Sequence, residues 1–86
     1  MARIDENFPA EIPIKVLGRN TSEFRDSALG IIRTHFPTLA EAAIGERVSR
    51  DGGYLSLTIT VRFETRNHAD AVYRALSAQD QILMVL

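Results

Sequence analysis

The sequence predicts an α+β fold in which two helices lie on one face of a four-stranded antiparallel sheet, and three patterns carry that expectation. From Tyr54 to Glu64, apolar Leu55, Leu57, Ile59, Val61 and Phe63 alternate with Tyr54, Ser56, Thr58, Thr60 and Arg62, the period of a strand with one buried and one wet face. Two other segments, after Asn20 and after Asn67, space their apolar residues at helical intervals behind residues suited to capping. Shorter strand-like runs at Ile12–Leu17, Ile44–Arg50 and Ile82–Leu86 complete the order βαββαβ.

Taken in order, Met1–Glu11 is mostly polar and without period, and reads as a loosely ordered arm that Phe8 can pin to the body. Ile12, Ile14 and Val16 then alternate with Pro13, Lys15 and Leu17 as strand one, which Gly18 ends. Asn20, Thr21 and Ser22 are all good helix caps, Asn20 stands three residues before Glu23, and Asp26 adds negative charge to the first turn. The first helix runs from about Ser22 to Phe36, with Phe24, Ala28, Ile31 and Ile32 as its stripe; Arg33 and His35 suit its carboxyl end, and Pro37 bars continuation.

Thr38–Ala43 fits either a loop or a short helical turn. Ile44–Arg50 is a weak strand, and Asp51, Gly52 and Gly53 supply residues able to take positive φ in a tight hairpin. Asn67 caps the second helix, with Asp70 in its first turn and Ala69, Val72, Tyr73 and Leu76 as its stripe; Ile82–Leu86 is the closing strand. Right-handed crossovers put both helices on one face, with strands one and three central and two and four at the edges. This is the ferredoxin-like arrangement.

A chain of 86 residues suits one domain, 1–86, because two pieces would each be too small to bury a core. Ten basic and eleven acidic side chains give a net charge of −1, so no global field draws the molecule to nucleic acid or anionic lipid, and neither is expected as a partner. With no cysteine, disulfides, thiolate catalysis and cysteine-ligated metal are excluded. Met1–Pro13 carries acids and prolines instead of a basic run and an apolar stretch, and no apolar run has the length of a membrane span; a cytoplasmic location is the expectation.

Several pieces of the chain resemble the YbeD-like family of small bacterial proteins. They are the Phe8-Pro9 pair, Lys15-Val16-x-Gly18, His35-x-Pro37, Ser49-x-x-Gly52-x-Tyr54-x-Ser56, Tyr73 with Leu76, and Met84-Val85-Leu86. They span nearly the whole chain, and their order and spacing together make the likeness. The resemblance implies a ferredoxin-like fold similar to the ACT regulatory domains, which bind amino acids or other small effectors and often pair side by side. It implies no catalytic residue. By the same likeness an effector would use Gly18-Arg19-Asn20-Thr21, although this turn departs from the Asp-x-x-Gly form usual in amino-acid-binding ACT domains. Some members are named as lipoate-related regulators, which implies an accessory or regulatory role in a cofactor pathway as an alternative.

Strand parity collects Lys15, Arg47, Ser49, Tyr54, Ser56, Thr58, Thr60 and Arg62 on the sheet face away from the helices. Clustered donors suit carboxylate or phosphate, which makes this face a candidate platform for an acidic partner or a small anion. The other reading is a solvated face, its threonines placed for strand propensity and Glu64 diluting the charge. Tyr54 alone is too little aromatic surface for the base stacking of sheet-type RNA-binding modules. The Asp51-Gly52-Gly53 turn lacks the lysine and following helix of a phosphate loop.

His35 and His68 stand at helix ends and read as structural or exposed, with nothing in the topology bringing both to a carboxylate as a metal site needs. No Ser, His and acid form a nucleophile elbow. Neither a cofactor nor a metal is expected, and the expected activity is non-catalytic: a regulatory or adaptor domain that binds a protein or small effector through the open face or an edge. Ile82-Leu83-Met84-Val85-Leu86 is apolar on both faces at a position that should be an edge, which invites a homodimer or an added strand unless the arm covers it through Phe8.

Overall fold

The computed structural model describes residues 7–86. Its elements are β1 (Ala10–Arg19), α1 (Ser22–His35), β2 (Ile44–Val48), β3 (Tyr54–Phe63), α2 (Arg66–Ser77) and β4 (Ile82–Val85), with a 3-10 turn at Glu41–Ala43. The sheet order is β2-β3-β1-β4 and every neighbouring pair is antiparallel. That is the expected α+β, ferredoxin-like order.

The alternation in β3 governs the packing. Leu55, Leu57, Ile59, Val61 and Phe63 are buried against Ile14 and Val16 of β1, Phe24, Ala28 and Ile32 of α1, Ala69, Val72 and Leu76 of α2, and Ile82 of β4. Among the described residues no polar or charged side chain is buried, so this core pays no desolvation cost. Arg25 of α1 reaches Glu46 of β2 at 2.5 Å, a half-exposed pair worth about 0.2–1 kcal/mol.

Several boundaries differ from those the sequence suggests, each for a local reason. Strand β1 begins at Ala10, where its register with Phe63 starts, so the segment read as an arm to Glu11 is already sheet at its end; Met1–Glu6 lies outside the described residues. Phe8 is half-buried and lines a hollow with Glu64, Thr65 and Asn67, whereas β4 pairs with Val16–Gly18 at the other end of β1. Phe8 therefore does not cover the β4 edge.

The first helix starts at Ser22 as expected, whereas the cap of the second needs correcting. Thr21 caps α1, its hydroxyl accepting the Phe24 N–H at 3.1 Å. Thr65, not Asn67, caps α2, accepting the His68 N–H at 3.1 Å, because β3 runs to Phe63 and leaves only Glu64 and Thr65 for the crossover. Asp26 and Asp70 consequently fall beyond the first turns; Asp70 faces Arg66 at 3.6 Å instead. Strand β2 stops at Val48, and the hairpin closes where the Ser49 N–H donates to the Tyr54 carbonyl, with only Gly52 at positive φ, +79°.

Candidate partner-binding face

The face away from the helices is built by registered rows. Leu17 of β1 stands between Met84 of β4 and Ser56 of β3, and Ser56 stands opposite Arg47 of β2. On one side of this row Arg19 pairs with Tyr54, its guanidinium 5.3 Å from the ring centroid. On the other side Lys15 pairs with Thr58 and exchanges both backbone hydrogen bonds with Leu86, at 3.0 and 2.8 Å. Thr60 and Arg62 follow, opposite Pro13 and Glu11. A shallow depression of about 130 Å³ lies among Leu17, Arg47, Val48, Ser49, Tyr54 and Ser56.

The residues that parity assigned to this face therefore lie along it, but they are not equally free. The Ser49 hydroxyl donates to Asp51 Oδ1 at 2.7 Å and accepts the Tyr54 N–H at 3.0 Å, so it is spent in the hairpin. The Gly53 N–H reaches the same Asp51 oxygen at 2.9 Å, and these two donors hold the Asp51 carboxyl below the ordinary carboxylate pKa of 3.8. Arg62 is taken up by Glu64 at 2.9 Å. Lys15, Arg19 and Arg47 enter none of the salt bridges among the described residues.

The turn Gly18–Thr21 is consumed by the fold. The Phe24 ring fills the space beside Gly18, the Asn20 N–H and side-chain amide donate to the carbonyls of Gly53 and Gly52, and Thr21 caps α1. An effector at this turn would have to displace those contacts.

In the helix layer, His35 and His68 come together, their ring centroids 5.6 Å apart beside Phe36 and Phe63. Sequence reading took the two histidines separately, yet the topology does join them. Neighbouring β1 and β3 are antiparallel, so the helices that follow them are too, and the end of α1 meets the start of α2. Among the described residues no cluster of three metal-ligating groups forms around them.

The family model described as a protein of unknown function (DUF493) matches residues 6–86. The chain belongs to this family. A UPF0250 protein of Nitrosomonas europaea is 35% identical over 79 residues, covering 92% of this chain and 91% of its own. One from a Janthinobacterium species is 39% identical over 79 residues, 92% of this chain and 87% of its own, and one from Paraburkholderia phytofirmans is 32% identical with both chains fully covered. The YbeD-like resemblance read from scattered motifs thus extends along nearly the full chain.

The sequence flags Ile82–Leu86 as an apolar edge but does not assign its residues to this DUF493 face. Met84 and Leu86 are 51% and 68% exposed, and register puts them beside Leu17 and Lys15. Listing polar residues by parity within β1, β2 and β3 could not find them; carrying the same parity across to β4 does. The face of this DUF493 protein is therefore mixed, apolar at Met84 and Leu86 beside Leu17, hydroxyl-bearing along β3, and cationic at Lys15 and Arg19 on β1 and Arg47 on β2. No helix among the described residues is long and apolar enough to cross a membrane.

Proposed function

We propose that this chain is a non-catalytic adaptor or regulatory domain that binds a protein partner through its open sheet face. The observation that carries this reading is the row Met84–Leu17–Ser56–Arg47, which presents on one sheet exposed apolar surface and a cation that enters no salt bridge among the described residues. Contiguous exposed apolar surface rimmed by polar groups is where soluble domains meet partners. The face supplies hydroxyls and cations but no histidine or paired carboxylates at the depression, so the groups that general acid–base chemistry needs are not gathered there.

The test is capture from lysate with immobilised wild type, a Leu17→Glu/Arg47→Glu face variant and a Thr34→Glu/Gln79→Glu control on the helix layer. Circular dichroism first establishes that all three fold alike. A partner retained by wild type and control but lost by the face variant is the expected result; identical recoveries from all three would sink the reading.

A further inference from the structure

The mixture of apolar surface and cations on the open face says what kind of partner it fits. Resting on the face-binding reading above, we infer that the occupant is an acidic, amphipathic segment of a protein, its apolar side chains on Leu17, Met84 and Leu86 and its carboxylates at Lys15 and Arg47.

Charge complementarity points there. Lys15, Arg19 and Arg47 are free of salt bridges among the described residues, and Arg62 is paired with Glu64, while Glu11 is the one carboxylate that register places among these strand residues on the face. The whole chain nevertheless carries a net charge of −1, so the acids lie mostly elsewhere. A locally cationic face on a slightly acidic molecule selects acidic segments and repels basic ones.

Dimensions agree with a single segment. Adjacent strands are about 4.8 Å apart, so Met84 on β4 and Arg47 on β2 are separated by roughly 14 Å across the sheet. A helix about 10 Å wide laid over β4 and β1 would bring its flank within reach of the Arg47 side chain. The same helix would cover Leu17, Met84 and Leu86 and drive their apolar surface out of water.

An anionic membrane also combines apolar surface with negative charge. It is the weaker fit, because such surfaces recruit proteins through clusters of about 4–8 basic residues, and this face offers three cations outside the salt bridges among the described residues, interspersed with hydroxyls.

The experiment uses the full chain and defined probes. Fluorescence polarisation is read with a labelled Glu/Leu amphipathic helical peptide, a Lys/Leu peptide of the same pattern, a Glu/Ser peptide of equal charge, and phosphatidylserine-containing vesicles in a flotation assay. The Glu/Leu peptide is expected to bind, the others not. Its affinity should fall about tenfold or more in Lys15→Glu/Arg47→Glu, and should weaken as salt rises to about 0.5 M.

Equal or tighter binding of the Lys/Leu peptide, lost in Leu17→Glu/Met84→Glu, would overturn the acidic assignment and leave the face reading standing. Binding of the vesicles in place of the Glu/Leu peptide would overturn the protein partner. Retention of the Glu/Leu peptide by Leu17→Glu/Met84→Glu, or its failure to bind wild type at all, overturns the inference; retention places the contact off the face, and the face reading goes with it.

Discussion

The ring of Phe24 occupies the space that a side chain at Gly18 would need: a Cβ there would overlap its Cγ, Cδ1 and Cε1. Both residues are buried, one in β1 and the other in the first turn of α1, so the contact locks the first strand to the first helix across a two-residue connection. Because the blocking atoms belong to a ring held on all sides, the clash cannot be relieved by swinging a flexible side chain away.

Gly18→Ala should therefore be destabilised by about 1–3 kcal/mol through overpacking. Gly30 is the control, since it lies in the exposed part of α1 with nothing near its missing Cβ. Gly30→Ala should gain up to about 1 kcal/mol from helix propensity. Urea unfolding of both variants decides; an equal shift of the two midpoints would mean that Phe24 is not fixed against β1.

The fold was readable because β3 writes its own two faces. Once Leu55–Phe63 are turned inward, the remaining elements have one place to bury their stripes, and the sheet order follows from short connections and crossover handedness. The helix caps were less readable. Asn67 and Thr65 are both competent caps, and which one acts depends on how far β3 runs, a tertiary fact. The candidate face was half readable: polar residues announce themselves by parity and Ile82–Leu86 shows an apolar edge, but only the register of β4 against β1 puts Met84 and Leu86 on the same face as Leu17 and Lys15.

The reassigned cap of α2 can be checked directly. Thr65→Ala removes the acceptor for the His68 N–H and should cost about 1 kcal/mol. Asn67 is already inside the helix and is not the side chain that accepts the first-turn N–H, so Asn67→Ala should leave stability unchanged or slightly raised. The opposite ordering in thermal or urea melts would restore Asn67 as the cap.

Two groups predict how stability moves with pH. The Asp51 carboxyl, lowered first by the Gly53 N–H and then by the Ser49 hydroxyl, binds protons less readily folded than unfolded. Its contribution is thus complete above 3.8 and is lost as pH falls through the folded value. Tyr73 behaves in the opposite sense: burial raises its phenol above 10.0, so its contribution is complete below that pH and is lost as the solution becomes more alkaline. Subtracting the stability profile of Asp51→Asn from wild type should leave an acid-side step, and subtracting that of Tyr73→Phe an alkaline one. Flat difference curves would contradict both assignments.

The two sheet edges make the sharpest structural prediction. At β2 the outer strand carries Glu46 and Arg47, charges that discourage another strand from pairing. At β4 there is no charge, only a register shift opposite Leu17 and Gly18 and the strand's short length. Pro13 guards the rest of that side: Lys15 turns its N–H to Leu86, so two residues earlier the proline lacks a donor on the same side of β1, just where β4 has ended. Since Leu86 exchanges both hydrogen bonds with Lys15, alternation turns the N–H of Val85 outward, away from β1. In hydrogen-exchange NMR on dilute protein, the Leu86 amide should be protected and the Val85 amide should exchange rapidly. If Val85 instead gains protection as concentration rises, a second copy is adding its strand at this edge and the homodimer expectation is met. Protection of Val85 that is independent of concentration would mean that the chain covers its own edge, and the open-edge description would be wrong.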